Sequence, residues 1–276
     1  MPTQMPQAEP GAGPGMTDRL IGIVIVLVTN GIPVYGVLRL GWSVTNVLVL
    51  FWLENLLVAI FTTLRIALHR HLTHKAGHWR VGQIGTQVNG KPMDGSLLSE
   101  FAIAAFVFTF AHGIFVAAIA FIFANNHPED PMWHFSYPAF KQGALMVFAA
   151  LALDFITDLP GMKSRSFAWI RTYAQQRMGG VLILHLTIIF GMMAMAATDS
   201  PLGLLYVLIG LKTLWDLAAA RTVAAPVADK PPGWLLKFGN RFSKDGVGGA
   251  EMTAQWQATL EASRKQAIED EKVVRN

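Results

Sequence analysis

The sequence predicts an all-α polytopic membrane protein with six transmembrane helices and both termini in the cytoplasm. Hydrophobic residues make up 53% of the 276 positions and charged residues only 14%, and the mean hydropathy is +0.40. This composition is typical of membrane proteins with several spans rather than of soluble domains. Apolar windows of span length recur along the chain, and basic residues concentrate in every second connection between them.

The predicted spans are windows of about 20 mostly apolar residues, the length that crosses the hydrocarbon core of a bilayer. These windows cover residues 20–38, 44–68, 97–124, 140–160, 180–198 and 201–220. We therefore expect a membrane domain over residues 19–221, preceded by a disordered tail over 1–18 and followed by a cytoplasmic tail over 222–276. Within the second tail, a weakly amphipathic pattern predicts one helix at about 250–272.

The first tail is rich in proline and glycine, a composition typical of disorder, and the start residue is either Met1 or Met16. In the first span, Pro33 cannot donate a hydrogen bond to the carbonyl of Thr29, so the helix should kink there. The Asn30 side chain is placed to satisfy part of the freed backbone. We interpret this feature as a packing kink.

The orientation follows from the basic residues of the loops. The 69–96 and 161–179 connections are the basic ones, and they hold Arg70, Lys75, Arg80, Lys91, Lys163, Arg165, Arg171 and Arg177. The connections on the opposite side hold Arg39 alone, then Glu129 with Asp130, then Asp199. Because basic loops stay in the cytoplasm, both termini are predicted to lie inside.

Several function classes are excluded by what the sequence lacks. Cysteine is absent, which excludes disulfides, thiolate metal sites, iron–sulfur clusters and a cysteine nucleophile. Glycine-rich phosphate loops, a GxSxG elbow and an HExxH motif are also missing, so hydrolase and nucleotide-driven activities have no support. The net charge of +4 resides in loops between apolar windows, which favours the lipid bilayer as a partner and not nucleic acid.

The candidate site consists of polar residues inside the apolar windows. An ionised side chain at the centre of a bilayer costs about 2.5 to 3.5 kcal/mol on insertion scales, so such groups face the bundle interior and mark a site. The candidates are Glu54, Asn55, His112, Asp154, His185, Lys212 and Asp216.

Depth within the windows sorts the candidates into two layers. At a rise of about 1.5 Å per residue, Glu54 and His112 lie near the midplane. Another layer lies roughly 7 to 8 Å nearer the cytoplasm and holds Asp154, His185 and Asp216, with Lys212 between the layers. We expect His112 to be the partner of Glu54, and His185 or Lys212 to be the partner of Asp154.

A metal site is the first hypothesis for these residues. Imidazole and carboxylate form the ligand set of iron, zinc or manganese, so Glu54, His112, Asp154 and His185 are the candidate ligands. Asn55, Lys212 and Asp216 then form a second shell or a proton relay. Haem ligation by the two histidines is less favoured, because their heights differ by about 7 Å.

Other interpretations remain open at this stage. The i,i+4 pair of Lys212 and Asp216 can neutralise itself, with Lys212 snorkelling to the membrane surface. Glu54 and His112 can relay protons in a proton-coupled or cation transporter, or the polar residues can hold helices together in a structural subunit of a membrane complex. Whether the protein is an enzyme, which solute it serves and which oligomer it forms stay open.

The first basic loop contains four histidines, namely His69, His71, His74 and His78. Their spacing partly matches a histidine box of membrane fatty-acid desaturases, but the paired HxxHH boxes are missing. Arg70 and Lys75 lie between them and disfavour a bound cation. We therefore interpret this segment as a solvated basic loop near lipid headgroups.

Four short motifs carry a resemblance to a family. They are Trp52-x-Glu54-Asn55, His112-Gly113-x-Phe115, Leu184-His185-Leu186-Thr187 and Lys212-Thr213-x-x-Asp216. With these motifs the chain, over roughly residues 20–221, resembles an uncharacterised group of bacterial multi-pass membrane proteins described only as a domain of unknown function. The resemblance implies the fold, the choice of residues and a location in the bacterial inner membrane, and implies no chemistry.

Overall fold

The computed structural model describes residues 16–82, 87–88, 91–92, 95–222, 231–233, 236 and 248–274. Within these ranges, the side chains at 16–19, 21, 22, 25, 87, 88, 91, 92, 181–185, 219–222, 248 and 249 are outside the description. The predicted disordered tail therefore lies almost entirely outside the described residues, as does most of the segment between residues 222 and 248.

Seven long helices account for most of the described chain. They are α1 (Met16–Leu40), α2 (Val44–Thr73), α3 (Leu97–Asn126), α4 (Tyr137–Asp158), α5 (Phe167–Thr198), α6 (Pro201–Thr222) and α7 (Gly248–Asp270). Each of the six predicted windows is helical, and α7 lies where the amphipathic pattern predicts a helix. The prediction of a mainly helical chain is thus confirmed.

Short elements connect the helices. Three 3-10 helices span Ala76–Trp79, Pro131–Trp133 and Leu159–Ser164. A small antiparallel hairpin pairs β1 (Gln87–Val88) with β2 (Lys91–Pro92).

Four segments are long and apolar enough to cross a membrane by length and composition, namely Val44–Thr73, Leu97–Asn126, Tyr137–Ser164 and Pro201–Ala218. Shorter apolar stretches occupy Val26–Leu40 in α1 and Leu186–Thr198 in α5. These apolar helices indicate a membrane protein. A total of six spans, with both termini inside, stays a prediction.

Helix α2 is the centre of the bundle. It packs against α1, α3, α4, α5 and α6, and 44% of its most apolar window is buried, compared with 22% in α3 and 17% in α4. Helix α3 instead presents large apolar side chains outward, since Phe110 and Phe121 are both 70% exposed. In a bilayer, such a face meets lipid chains.

Local sequence signals position the ends of α2. Ser43 accepts a hydrogen bond from the backbone N–H of Asn46, a typical N-cap. At the other end, His74 adopts a left-handed conformation with φ of 50°, which ends the helix and turns the chain into the 3-10 helix Ala76–Trp79. The helix runs seven turns or more between these caps, so it carries polar residues at very different depths.

Candidate functional site

A buried ammonium lies at the middle of the bundle. Lys212 Nζ is 2.9 Å from Glu54 Oε1 and 2.7 Å from Asp216 Oδ2, and it donates a hydrogen bond of 2.8 Å to Asn30 Oδ1. We call these four residues the Lys212 cluster. They come from α1, α2 and α6, so one ammonium links three helices.

Each helix places its member of the cluster by simple geometry. Lys212 and Asp216 are four residues apart on α6 and therefore lie on one face. Asn30 lies near the middle of α1, where its Nδ2 donates to Asp216 Oδ2 at 2.9 Å and to the Val26 carbonyl at 3.0 Å. The Asn30 amide is therefore fully oriented, with its oxygen toward the lysine and its nitrogen toward the aspartate.

The environment of the Lys212 cluster is largely apolar. The side chains of Glu54, Lys212 and Asp216 are 9%, 17% and 22% exposed, and the Phe51 ring centroid is 5.7 Å from Lys212 Nζ. Two carboxylates and one ammonium in direct contact carry a formal charge of −1. The low dielectric of the bundle interior strengthens the attraction between the ammonium and the carboxylates. It also raises the free-energy cost of burying the excess negative charge.

The interpretation of Lys212 and Asp216 as a self-neutralising pair is right in the pairing and wrong in the position of the lysine. The i,i+4 ion pair forms, with Lys212 Nζ at 2.7 Å from Asp216 Oδ2. Lys212 does not snorkel to the surface, because it points at Glu54 and Asn30 inside the bundle. It bridges Glu54 and Asp216, as expected for a residue between the two layers.

A second polar group lies near the ends of α2 and α4, and we call it the Arg65 cluster. Arg65 NH2 binds Asp154 Oδ2 at 2.7 Å, and Arg65 Nε binds Asp158 Oδ2 at 3.0 Å. Asp158 Oδ1 also accepts a bond of 3.0 Å from Arg165 NH2. Two guanidinium groups and two carboxylates balance in charge, and charge-assisted bonds of this kind are the strong ones.

Arg65 is the site residue that sequence reasoning missed. It lies inside the second apolar window and is only 1% exposed. Of the two predicted partners of Asp154, Lys212 contacts other carboxylates and the side chain of His185 lies outside the described residues, while this arginine binds Asp154 directly. An arginine inside an apolar window was itself a signal of a buried carboxylate partner.

Aromatic rings and a second arginine connect the two clusters. The Arg65 guanidinium lies 5.2 Å from the Phe155 ring centroid and 5.1 Å from that of Tyr173. Arg177 NH2 donates to the Tyr173 hydroxyl at 3.1 Å. Arg177 also interacts electrostatically with Asp154 in one cluster and with Asp216 in the other. The connection between the two clusters therefore consists of electrostatic and ring contacts together with the hydrogen bond from Arg177 to Tyr173.

His112 has a different environment from the predicted one. Its Nδ1 is 2.8 Å from the Phe108 carbonyl, which can only accept, and its ring stacks on that of Phe108 at 4.3 Å between centroids. Glu54, its predicted partner, is in contact with Lys212. In these contacts His112 has the geometry of a hydrogen-bonded packing histidine.

The first two sequence motifs have a packing role that positions Glu54. Trp52 Nε1 donates to the Thr109 carbonyl at 2.9 Å, and a Cβ at Gly113 would lie 2.6 Å from that same nitrogen. Glycine therefore lets the Trp52 ring reach the α3 backbone, which fixes α2 against α3. Asn55 bonds its own helix, donating to the Phe51 carbonyl at 2.8 Å.

The metal hypothesis receives no support from the described residues. Among them, no group of three or more His, Asp or Glu side chains could hold a metal ion. Glu54 and Asp154 lie in different clusters, and the rise along α2 from position 54 to position 65 is roughly 16 Å. The side chain of His185 lies outside the described residues. Metal ligation by Glu54, His112, Asp154 and His185 therefore stays a prediction, which metal analysis of the purified protein can test.

The interpretation of the first loop as solvated is wrong for two of its four histidines. His69 and His78 are both 0% exposed, with His69 Nδ1 2.7 Å from His78 Nε2. His71 and His74 are exposed, as predicted. The signal that separates them is position, because His69 still lies within α2 and faces the bundle.

The tautomers of the buried pair follow from one contact. His69 Nε2 is 3.1 Å from the Arg165 carbonyl, which can only accept, so this nitrogen carries a proton. Neutral His69 then accepts at Nδ1, and His78 Nε2 donates to it. Burial lowers the pKa of His78 to about 3, so the His78 ring is neutral at physiological pH. Within the described chain, His78 Nδ1 is buried and without a hydrogen-bond partner.

Comparison with known proteins identifies a family and no function. The model of DUF6498, a family of unknown function, matches residues 14–232, and the chain belongs to that family. This confirms the resemblance to an uncharacterised family. No curated protein and no solved structure gave a significant match.

Proposed function

We propose that this DUF6498 protein moves protons across the membrane, alone or in exchange for another cation, and that the Lys212 cluster is the site that binds the proton. The observation that carries the proposal is the contact of one buried ammonium with two carboxylates and an amide from three helices. Lys212 lies at the middle of α6, and Asn30 near the middle of α1, so the cluster is far from both ends of the bundle.

A purely structural role explains the cluster poorly. Interhelical polar contacts in membranes contribute only about 0.6 kcal/mol each on average. Replacing a buried ion pair with well-packed apolar residues is often neutral or stabilising by about 1 to 4 kcal/mol. Stability alone therefore gives no reason to keep three ionised side chains in an apolar bundle.

The charge of the cluster favours proton uptake. With both carboxylates ionised, the direct contacts carry −1, and one added proton brings them to zero. We assign this proton to the Glu54 carboxylate, where an O–H bond forms and the Coulomb attraction to Lys212 is lost. Lys212 then keeps Asp216 on its own helix and Asn30 on α1. Protonation thus weakens the connection between α2 and α6 selectively.

The connection to the outside of the bundle supports the same proposal. From the Lys212 cluster, polar groups continue through Arg177 and Tyr173 to Arg65 and its two aspartates. We call this chain of groups the polar path. Its Arg65 end is the one that the distribution of basic residues predicts to face the cytoplasm. Ionisable residues arranged in this way mark proton relays in membrane proteins.

Proton flux into liposomes tests the proposal. Purified protein is reconstituted with a pH-sensitive dye inside, and flux is measured under an imposed potential for wild type and Glu54→Gln. The glutamine keeps the size and hydrogen bonding of the side chain but cannot take up the proton. We expect the variant to lose about tenfold or more of the wild-type flux, since proton-transfer groups contribute on this scale.

The matched control is Glu261→Gln, which makes the same chemical change at an exposed position of α7. It should retain wild-type flux. Flux through Glu54→Gln equal to that of wild type would overturn the proposal, provided that both proteins are folded and inserted to the same extent.

A further inference from the structure

The C-terminal end of the chain is bound to the turn that follows α2. The Ala76 N–H donates to the Lys272 carbonyl at 2.8 Å, and the Val274 N–H donates to the His74 carbonyl at 2.9 Å. These two bonds flank an antiparallel bridge between Lys75 and Val273. The chain beyond α7 therefore pairs with this turn through one isolated bridge, and we call residues 270–274 the C-terminal segment.

Glu271 connects the segment to two helices at once. Its Oε2 is 2.6 Å from Lys75 Nζ, just beyond the end of α2. Its Oε1 accepts hydrogen bonds from the Phe167 N–H at 2.6 Å and the Ala168 N–H at 3.4 Å. A carboxylate at the N-terminus of a helix satisfies free amides and complements the helix dipole. The first turn of α5 is thus capped by a residue from the far end of the chain.

Asp270 is bound more loosely than its neighbour. It is only 2% exposed, and its two nearest cations are Arg80 at 3.3 Å and Arg171 at 3.7 Å. Within the described chain, neither carboxylate oxygen has a hydrogen-bond partner. Burial raises the pKa of Asp270, although the two arginines oppose the shift. A buried carboxylate without hydrogen bonds is costly, so this contact favours release of the segment.

The segment is linked to the Arg65 end of the polar path through Lys75 and Arg165. Lys75 Nζ, which binds Glu271, also donates to the Arg165 carbonyl at 2.8 Å. The Arg165 guanidinium in turn holds Asp158 of the Arg65 cluster. The same carbonyl accepts from His69. One lysine therefore separates the C-terminal segment from the residues that end the polar path.

We propose that the C-terminal segment is a latch that closes this end of the polar path, and that its release opens the path to solvent. The binding surface fits an acidic extended peptide, because it offers the backbone edge at residues 74–76, the α5 amides and three cations, namely Lys75, Arg80 and Arg171. Its occupant is residues 270–274 of this chain. The closed state is the one in the structure, and the gating function depends on the proposed proton movement.

The test releases the latch in the full-length protein. The variant Glu271→Gln removes the attraction between the charges of Glu271 and Lys75 and keeps the size of the side chain. Amide hydrogen exchange at Ala76 and Phe167 reports whether the segment is bound, independently of any transport. We expect exchange at both amides to accelerate by about tenfold or more, as for local opening of a surface element. Proton flux into liposomes should increase in the same variant.

The matched control is Glu261→Gln, which makes the same chemical change at an exposed position of α7 outside the latch. It should leave both the exchange at Ala76 and Phe167 and the proton flux at wild-type values. A second variant, Glu54→Gln in the latch-released background, should abolish the gained flux.

The outcomes separate the latch from the transport proposal. Unchanged exchange at Ala76 and Phe167 would show that the charge of Glu271 does not hold the segment, and the latch would be rejected. Faster exchange with flux equal to wild type would reject gating and leave proton movement standing. Flux that rises in the latch-released protein and persists with Glu54→Gln would support the latch and reject the Lys212 cluster as the proton site. Absence of flux in every protein would reject both.

Discussion

The Lys212 cluster and the Arg65 cluster share one arrangement but are built around different cations. In each, one buried cation contacts two carboxylates, and helices distant in sequence meet at that cation. Arg65 stays protonated at any physiological pH, binds through a planar fork and stacks between aromatic rings. Lys212 is a compact ammonium without that geometry, and its direct contacts carry one excess negative charge, with Arg177 as the further cation that acts on Glu54 and Asp216.

This difference indicates which of the two clusters can change its protonation state. In the Arg65 cluster a second arginine balances the charge, so its contacts are fixed, and it serves as a structural anchor near the ends of α2 and α4. The Lys212 cluster lacks that balance in its direct contacts, and its glutamate sits on a different helix from its lysine. A change of protonation there alters how helices are connected, which a change in the anchor does not.

The largest expected effect comes from breaking the anchor. Arg65→Met leaves Asp154 and Asp158 without their buried partner, which should destabilise the fold by about 3 to 5 kcal/mol. Thermal unfolding of the detergent-solubilised protein measures the loss. Arg65→Lys is the matched control, because it keeps the positive charge and loses only the planar guanidinium geometry. It should destabilise the fold by less than Arg65→Met does. An Arg65→Met variant as stable as wild type would contradict the anchor role.

An effect of similar size should follow from removing the ammonium of the Lys212 cluster, and a much smaller one from removing all of its charges. Lys212→Met alone leaves two buried carboxylates unpaired and should also destabilise by about 3 to 5 kcal/mol. The triple variant Glu54→Leu/Lys212→Met/Asp216→Leu removes every charge, and its stability should return to within about 1 kcal/mol of wild type or exceed it. Unfolding curves and proton flux are measured on both.

The triple variant separates structure from function. If the cluster serves proton movement, the triple variant is folded and carries no flux above that of protein-free liposomes. If the cluster holds the bundle together, the triple variant is less stable than wild type. A stable triple variant with wild-type flux would remove the Lys212 cluster from the mechanism.

The smallest of these effects concerns the placement of Glu54. Gly113→Ala puts a Cβ at 2.6 Å from Trp52 Nε1, so the ring must move and α2 must shift against α3. We expect a loss of about 1 to 3 kcal/mol, typical of overpacking, with reduced proton flux. Gly210→Ala in α6 is the control, since nothing lies within 4 Å of the added Cβ. Equal behaviour of the two variants would show that the Trp52 contact does not set the position of Glu54.

The site could be predicted from the sequence in its members but only partly in its pairing. Glu54, Lys212 and Asp216 were recognisable because ionised residues in apolar windows must find partners inside the bundle. The i,i+4 pair of Lys212 and Asp216 followed from their spacing. The contact of Lys212 with Glu54 did not, because it depends on the rotation of α2 and α6 and on the reach of a lysine side chain. The long side chain of Arg65 likewise reaches Asp154, whereas calculated depth had paired Asp154 with a residue at a similar height.

By itself, the sequence determined the helices, the apolar composition of the bundle and the presence of ionisable residues inside the apolar windows. These properties are local, since window hydropathy and cap residues such as Ser43 act within a few turns of chain. Only the tertiary structure decided that the charges form two clusters, that His69 and His78 are buried, and that residues 270–274 cap α5. Such pairings join residues far apart in the chain, so they depend on helix packing that no local pattern encodes.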